Sequence, residues 1–181
     1  KNMKDHVLLV PAYNASGDLV GLERIPATQG QDKKHLKQKK EAYHLIGTVS
    51  EGKPVYVAEG YATAASLHLV TGQPVAVAFT WWNIEPVCQI FKTRYKVEPY
   101  ACPDAGDAGR KTAAQCRSAG FRVVELPPDS RNGLDWNDIH VEQGLEPAKA
   151  LFREAWSKAT VKQPETPIPK KKGIETISAR D

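Results

Sequence analysis

The stretch Val55-Tyr-Val-Ala-Glu-Gly-Tyr-Ala-Thr-Ala-Ala-Ser66 decides how the rest of the chain is read. Val55, Tyr56 and Val57 form a short β-favouring run. Glu59-Gly60 interrupts it, and Ala62 to Val70 then has helical composition, closed by Gly72. An acidic residue beside a glycine, at the end of a buried strand, is where open α/β sheets place their sites. The same glutamate can instead cap the following helix, since acids favour helix N-termini. Both readings of Glu59 stand at this point.

Moving towards the C-terminus, the same rhythm repeats. Pro74 to Phe79 reads as a strand, and Ile84 to Tyr95 as a helix with Ile84, Val87, Ile90 and Phe91 on one face. Val97 to Cys102 is a strand, Pro103 to Gly109 a loop, and Arg110 to Ala119 a helix closed by Gly120. Phe121 to Leu126 is a further strand, Pro127 to Leu134 a loop, Asp135 to His140 a short turn, and Pro147 to Ser157 a last helix. Strand and helix alternating in this way predict an α/β fold, a Rossmann-like, mainly parallel sheet flanked by helices on both faces. Right-handed crossovers would bring the strand ends after Val57, Phe79, Cys102 and Leu126 to one edge.

Towards the N-terminus, His6 to Pro11 and Leu19 to Ile25 read as a hairpin around the turn cluster Asn14 to Asp18. Gln29 to Lys40 follows, with five lysines and a single apolar residue, Leu36. It reads either as a solvated loop or as a surface for phosphate groups. Tyr43 to Gly47 returns to the core. The tail from Ala159 is rich in proline and lysine, with little to bury, and reads as a linker. The expected organisation is a hairpin and basic loop over residues 1–53, a catalytic α/β domain over 54–157, and a tail over 158–181.

The chain has 181 residues, 41% apolar and 25% charged, with a net charge of +4, the makeup of a soluble domain with tails. Neither a membrane-crossing apolar run nor a signal peptide is visible, and the start at Lys1 reads as a fragment of a longer protein. Cys88, Cys102 and Cys116 are three in number and widely spaced, which argues against structural zinc and for reduced thiols in a cytoplasmic setting. His44, His68 and His140 have no partner at ligand spacing and read as structural or surface residues.

Three acidic groups fall at or after strand ends: Glu59; Asp104 and Asp107, leading into Arg110-Lys111; and Asp135 with Asn137 and Asp138. Each alone has a structural reading, as a helix cap or an Asx-turn. Together at one edge they would repel, and a divalent cation resolves that conflict. Hard oxygen donors without paired Cys or His suit Mg²⁺ or Mn²⁺, and hence phosphoryl or nucleotidyl transfer.

Glu59-Gly60, the Asp104-x-x-x-x-Gly109 loop, and Gly109-Arg-Lys-Thr-Ala-Ala114 opening a helix resemble the TOPRIM fold of bacterial-type primases, topoisomerases, OLD-family nucleases and RecR-like proteins. Leu134-Asp-Trp-Asn-Asp-Ile-His140 is similar to the acidic third motif of plasmid- and phage-type primases, and the resemblance spans about Val7 to Phe152. It implies a DNA primase core that makes RNA primers from ribonucleoside triphosphates on single-stranded DNA, with a replicative helicase in cis or in trans. On this resemblance Glu59 is a metal ligand or general acid/base, and Asp104 holds Mg²⁺. Asp107, Asp135, Asn137 and Asp138 complete the acidic patch. Lys33, Lys34, Lys37, Lys39 and Lys40, with Arg110 and Lys111, face nucleic-acid or nucleotide phosphates. One departure stands out: the second aspartate of the family's Asp-x-Asp pair falls at Gly106, and Asp107 lies one residue on. Two other functions therefore remain open, a metal-dependent nuclease and a non-catalytic TOPRIM domain that binds DNA or a replication partner.

Overall fold

The computed structural model describes residues 6–27, the backbone of 34–36, and 40–160. Its centre is a five-stranded sheet built from β4 (His44–Ile46), β5 (Pro54–Ala58), β6 (Val75–Val77), β7 (Glu98–Cys102) and β8 (Arg122–Val123), in the order β4-β6-β5-β7-β8. β5, β6, β7 and β8 run parallel, and β4 pairs antiparallel with β6. Crossovers are made by α1 (Tyr61–Thr71), α2 (Ile84–Arg94) and α3 (Asp107–Ser118); α4 (Trp136–Gln143) and α5 (Leu145–Thr160) follow β8.

The side-chain alternation of a strand sorts the core onto two faces. Tyr56 and Ala58 of β5 join Leu67 of α1, Trp136 of α4 and Phe152 of α5 in one buried cluster. Val55 and Val57 join Val87 and Phe91 of α2 and Cys116 of α3 in the other. Both faces are thus covered, as the near-continuous apolar strands require.

A second, antiparallel sheet holds β1 (Val7–Tyr13), β2 (Leu19–Pro26) and β3 (Lys34–Leu36). Asn14 shapes the hairpin turn: its side-chain oxygen accepts from the Ser16 and Asp18 amides, both at 2.9 Å. The two sheets are joined where Tyr13 and Tyr43 exchange backbone hydrogen bonds of 2.8 and 2.9 Å. His44 adds a bond from Nδ1 to the Pro11 carbonyl at 3.0 Å.

Several boundaries differ from the sequence reading. The basic stretch is not all loop, because Lys34–Leu36 pairs with β2. α3 begins at Asp107 rather than Arg110, so Asp107 is a helical residue. The Asp135–His140 turn is the start of an eight-residue helix, stabilised by burial of Trp136 and Ile139. β8 has two residues instead of six, with one more bond to β7 from the Val124 amide to the Ala101 carbonyl at 2.8 Å.

Candidate active site

Glu59 is placed by β5. Ala58 is in parallel register with Cys102 of β7, so Glu59 and Asp104 lie one and two residues beyond a paired position on neighbouring strands. Adjacent strands are about 4.8 Å apart, which brings the two acidic residues to one edge of the sheet. The ladder continues on the other side, where the Phe79 amide donates to the Glu59 carbonyl at 2.8 Å. α1 is capped by Gly60, with no side-chain cap bond and no acid in its first turn. The N-cap position thus belongs to Gly60, one residue after Glu59.

Asp104 is half-buried, and its Oδ1 is shielded from solvent. The spacing from Asp104 to Gly109 has a steric cause. A Cβ on Gly109 would lie 1.7 Å from the Asp104 carbonyl oxygen, so the first turn of α3 packs directly on the Asp104 peptide. Gly106 is equally constrained. Its φ of +109° and ψ of −170° are reached essentially only by glycine, and a Cβ there would lie 1.8 Å from Asn132 Oδ1. A second aspartate cannot occupy this position without rearrangement. Asp107, one residue on, is exposed on the first turn of α3 and ion-paired with Arg110.

The third acidic group is tied to the Asp104 loop by backbone bonds. The Ala105 amide donates to the Leu134 carbonyl at 2.8 Å, and the Gly133 amide to the Ala105 carbonyl at 2.9 Å. Asp135 caps α4 in a reciprocal capping box: Asp138 N donates to Asp135 Oδ1 at 2.8 Å, and Asp135 N to Asp138 Oδ2 at 3.3 Å. Buried Thr63 of α1 donates to Asp135 Oδ2 at 2.8 Å. Asp138 also meets Arg131 at 3.2 Å. Ser66 donates to Asn137 Oδ1 and lies 3.0 Å from His140 Nδ1. Asp135 and Asp138 thus cap α4, and Asp135 also ties it to α1. Among the described residues, no three His, Cys, Asp or Glu side chains gather closely enough to hold a metal ion.

A cleft of about 190 Å³ opens beside Asp104, lined by Pro103 to Gly106, Gly109 and Arg110, and by Pro127, Pro128 and Ser130 across from them. Arg110 and Lys111 are exposed on α3, and Lys40 is exposed before β4. Lys33, Lys37 and Lys39 lie outside the described residues, and for Lys34 only the backbone is described. The three histidines are engaged locally: His44 with Pro11, His68 with the Gln73 carbonyl at 2.7 Å, and His140 with Ser66. Sequence reasoning missed Thr63, Ser66 and Asn132. A hydroxyl on the inward face of an otherwise apolar helix was the available signal for the first two.

A mostly parallel sheet with acidic residues at the carboxyl ends of adjacent central strands defines an α/β protein of the doubly wound type, and that sheet edge is the candidate site. A Toprim domain family profile matches residues 54–146, and the chain belongs to that family. In fold it is similar to the primase fragment of the bacteriophage T7 primase-helicase protein (TM-score 0.60, 17% identity, 81% of this chain and 64% of that one). It is also similar to the Aquifex aeolicus primase, zinc-binding and RNA polymerase domains (TM-score 0.53, 18%, 85% and 41%). A third similar fold is the RNA polymerase domain of Mycobacterium tuberculosis primase DnaG (TM-score 0.51, 16%, 85% and 58%). The chain therefore spans less than two thirds of the length of each of these three. Among the described residues, no helix is long and apolar enough to cross a membrane.

Proposed function

We propose that this chain is the catalytic core of a plasmid- or phage-type DNA primase, acting in the cytoplasm and making short RNA primers on single-stranded DNA from ribonucleoside triphosphates. The observation that carries the reading is the Ala58–Cys102 register, which sets Glu59 and Asp104 side by side at the sheet edge. The fold similarity supports a primase over a bare Toprim nuclease: it covers 81–85% of the chain, well beyond residues 54–146.

The donor set fits Mg²⁺ or Mn²⁺. Both residues offer only carboxylate oxygens, one of them already desolvated, and Mg²⁺ commonly takes one or two carboxylates and leaves its other positions to water and phosphate. Glu59 and Asp104 would hold the cation from neighbouring strand ends, with Asp107, Asp135 and Asp138 completing the acidic patch around it. A bound Mg²⁺ would neutralise triphosphate charge. Glu59 would hold or accept a proton at the sheet edge. Arg110, Lys111, Lys40 and the basic stretch Lys33, Lys34, Lys37 and Lys39 would meet nucleotide or template phosphates, and a helicase would act beside this core, in cis or in trans.

The test is primer synthesis from labelled ribonucleotides on single-stranded DNA. Template-dependent product is expected, with Glu59→Gln and Asp104→Asn each lowering it at least about 100-fold, as loss of a charge-stabilising group does. Shortening of the input DNA without product would mark a nuclease. Gly106 favours one second reading, a Toprim domain that binds without catalysis. Absence of both product and calorimetric Mg²⁺ or Mn²⁺ binding at millimolar levels would select it.

A further inference from the structure

Carboxylates and cations account for the sheet edge, but two adjacent tryptophans beside it have no part in that chemistry. Trp81 and Trp82 leave the sheet after β6 and are 37% and 42% exposed. They sit two and three residues past Phe79, whose amide bonds the Glu59 carbonyl. Large rings left half in water are unusual on a turn of three residues, so what holds them there matters.

The turn is built, not loose. Phe79 takes a left-handed φ of +67°, which swings the chain out of the sheet. Asn83, fully buried, then locks the exit: its Nδ2 donates to the Ala42 and Ala78 carbonyls, both at 2.8 Å, and its Oδ1 accepts from the Glu41 amide at 2.8 Å. From the other side, the buried Thr112 hydroxyl of α3 lies 3.3 Å from the Trp81 carbonyl and 3.0 Å from the Ala108 carbonyl of its own helix. Two cations are close by along the chain: exposed Lys40 precedes Glu41, and exposed Lys111 precedes Thr112, each one residue from a bond that holds this turn.

Aromatic faces for bases, with cations for the backbone alongside, are the combination by which proteins hold single-stranded nucleic acid. We propose that Trp81 and Trp82 form a base-stacking platform for a single strand, with Lys40 and Lys111 on its phosphates, and that this platform leads the strand to the edge bearing Glu59 and Asp104. Only the strand's role as a template rests on the primase reading; the stacking itself does not.

The experiment measures binding of the full chain to a labelled oligo-dT and to an abasic oligonucleotide of the same length, each over a salt series. Stacking is worth about 5- to 150-fold in affinity per base. Trp81→Ala and Trp82→Ala are expected to lose that factor on oligo-dT and almost nothing on the abasic strand. The phenylalanine variants at both positions should retain most of the affinity, and Trp156→Phe on α5 all of it. Lys40→Ala and Lys111→Ala should instead weaken both oligonucleotides and lower the salt slope by about 0.7 each. Equal losses on both oligonucleotides, or none, overturn the proposal. So does a change of sedimentation state in the alanine variants with unchanged affinity, which would make the pair a contact between copies of this chain. Tryptophan-dependent binding without primer synthesis would leave the platform standing and remove the primase reading. Primer synthesis with tryptophan-independent binding would do the reverse, and failure of the wild type to bind either oligonucleotide removes both.

Discussion

Replacing Gly106 tests the central steric argument. Where a loop glycine's backbone angles suit alanine, the substitution stabilises by about 0.4–1 kcal/mol, because it restricts the unfolded chain. Gly106 should go the other way. Its φ of +109° and ψ of −170° cost a side chain about 1–3 kcal/mol. A Cβ also lands 1.8 Å from Asn132 Oδ1, the far end of a side chain, which can swing away at about 0.5–1.5 kcal/mol for a poor rotamer. The next contact, Gly133 N at 3.4 Å, is ordinary. Gly106→Ala should therefore lower stability by about 1.5–4.5 kcal/mol, or Tm by about 3–18 °C for a chain of this size. Asn132→Ala in the same background should recover the rotamer part and leave the backbone part. Urea unfolding of wild type, both single variants and the double variant gives the cycle. Gly106→Asp, which restores the family's aspartate pair on paper, should be destabilised at least as much and gain no Mg²⁺ affinity. A neutral or stabilised Gly106→Ala would refute the geometry on which the missing second aspartate is explained.

Three further outcomes follow from the same structure. Thr63→Val keeps the shape but removes the donor to Asp135, so urea unfolding should show a loss of about 1.5–3 kcal/mol, the range for hydrogen bonds to charged groups; no loss would mean that the bond is idle. Burial pushes the His44 pKa below its usual 6.5, against a smaller opposing effect of the Pro11 carbonyl. The folded state therefore binds the proton less readily than the unfolded one, so this stability is complete above about pH 6.5 and drains away as pH falls through the folded-state pKa. His44→Gln should flatten that part of a Tm-against-pH curve, and an unchanged curve would exclude His44 as its source. Cys88, Cys102 and Cys116 are all free and buried, and burial raises the Cys88 and Cys102 thiols. A thiol-reactive chromogen at neutral pH should find almost no reactive thiol in the native chain and three after denaturation; rapid native labelling would contradict the packing.

The architecture was legible where apolar period and turn chemistry agreed. Val55 to Val57 and Pro74 to Phe79 announced central strands, and Ile84, Val87, Ile90 and Phe91 announced the buried face of α2. Short pieces were harder. Lys34–Leu36 is strand only because β2 offers it partners, and nothing in Lys-His-Leu says so. Asp107-Ala-Gly109 has the composition of a loop, yet it is helix, because Gly109 is there to let α3 touch the Asp104 peptide rather than to break the chain. The same division applies to the site. Glu59 and Asp104 could be named because strand-end acids have a meaning in α/β sheets, whereas Asn132 and Thr63 act through distances that only folding creates.

The margins of the main sheet carry their own consequence. β8 offers only two residues, with Arg122 ion-paired to Glu98 and bonded to the Tyr100 hydroxyl, and β4 is met on its outer side by Tyr13. An incoming extended segment would find almost no unsatisfied ladder to extend at either rim. Concentrated solutions of this chain should accordingly resist fibril seeding through the sheet, and any clumping on storage would have to begin elsewhere.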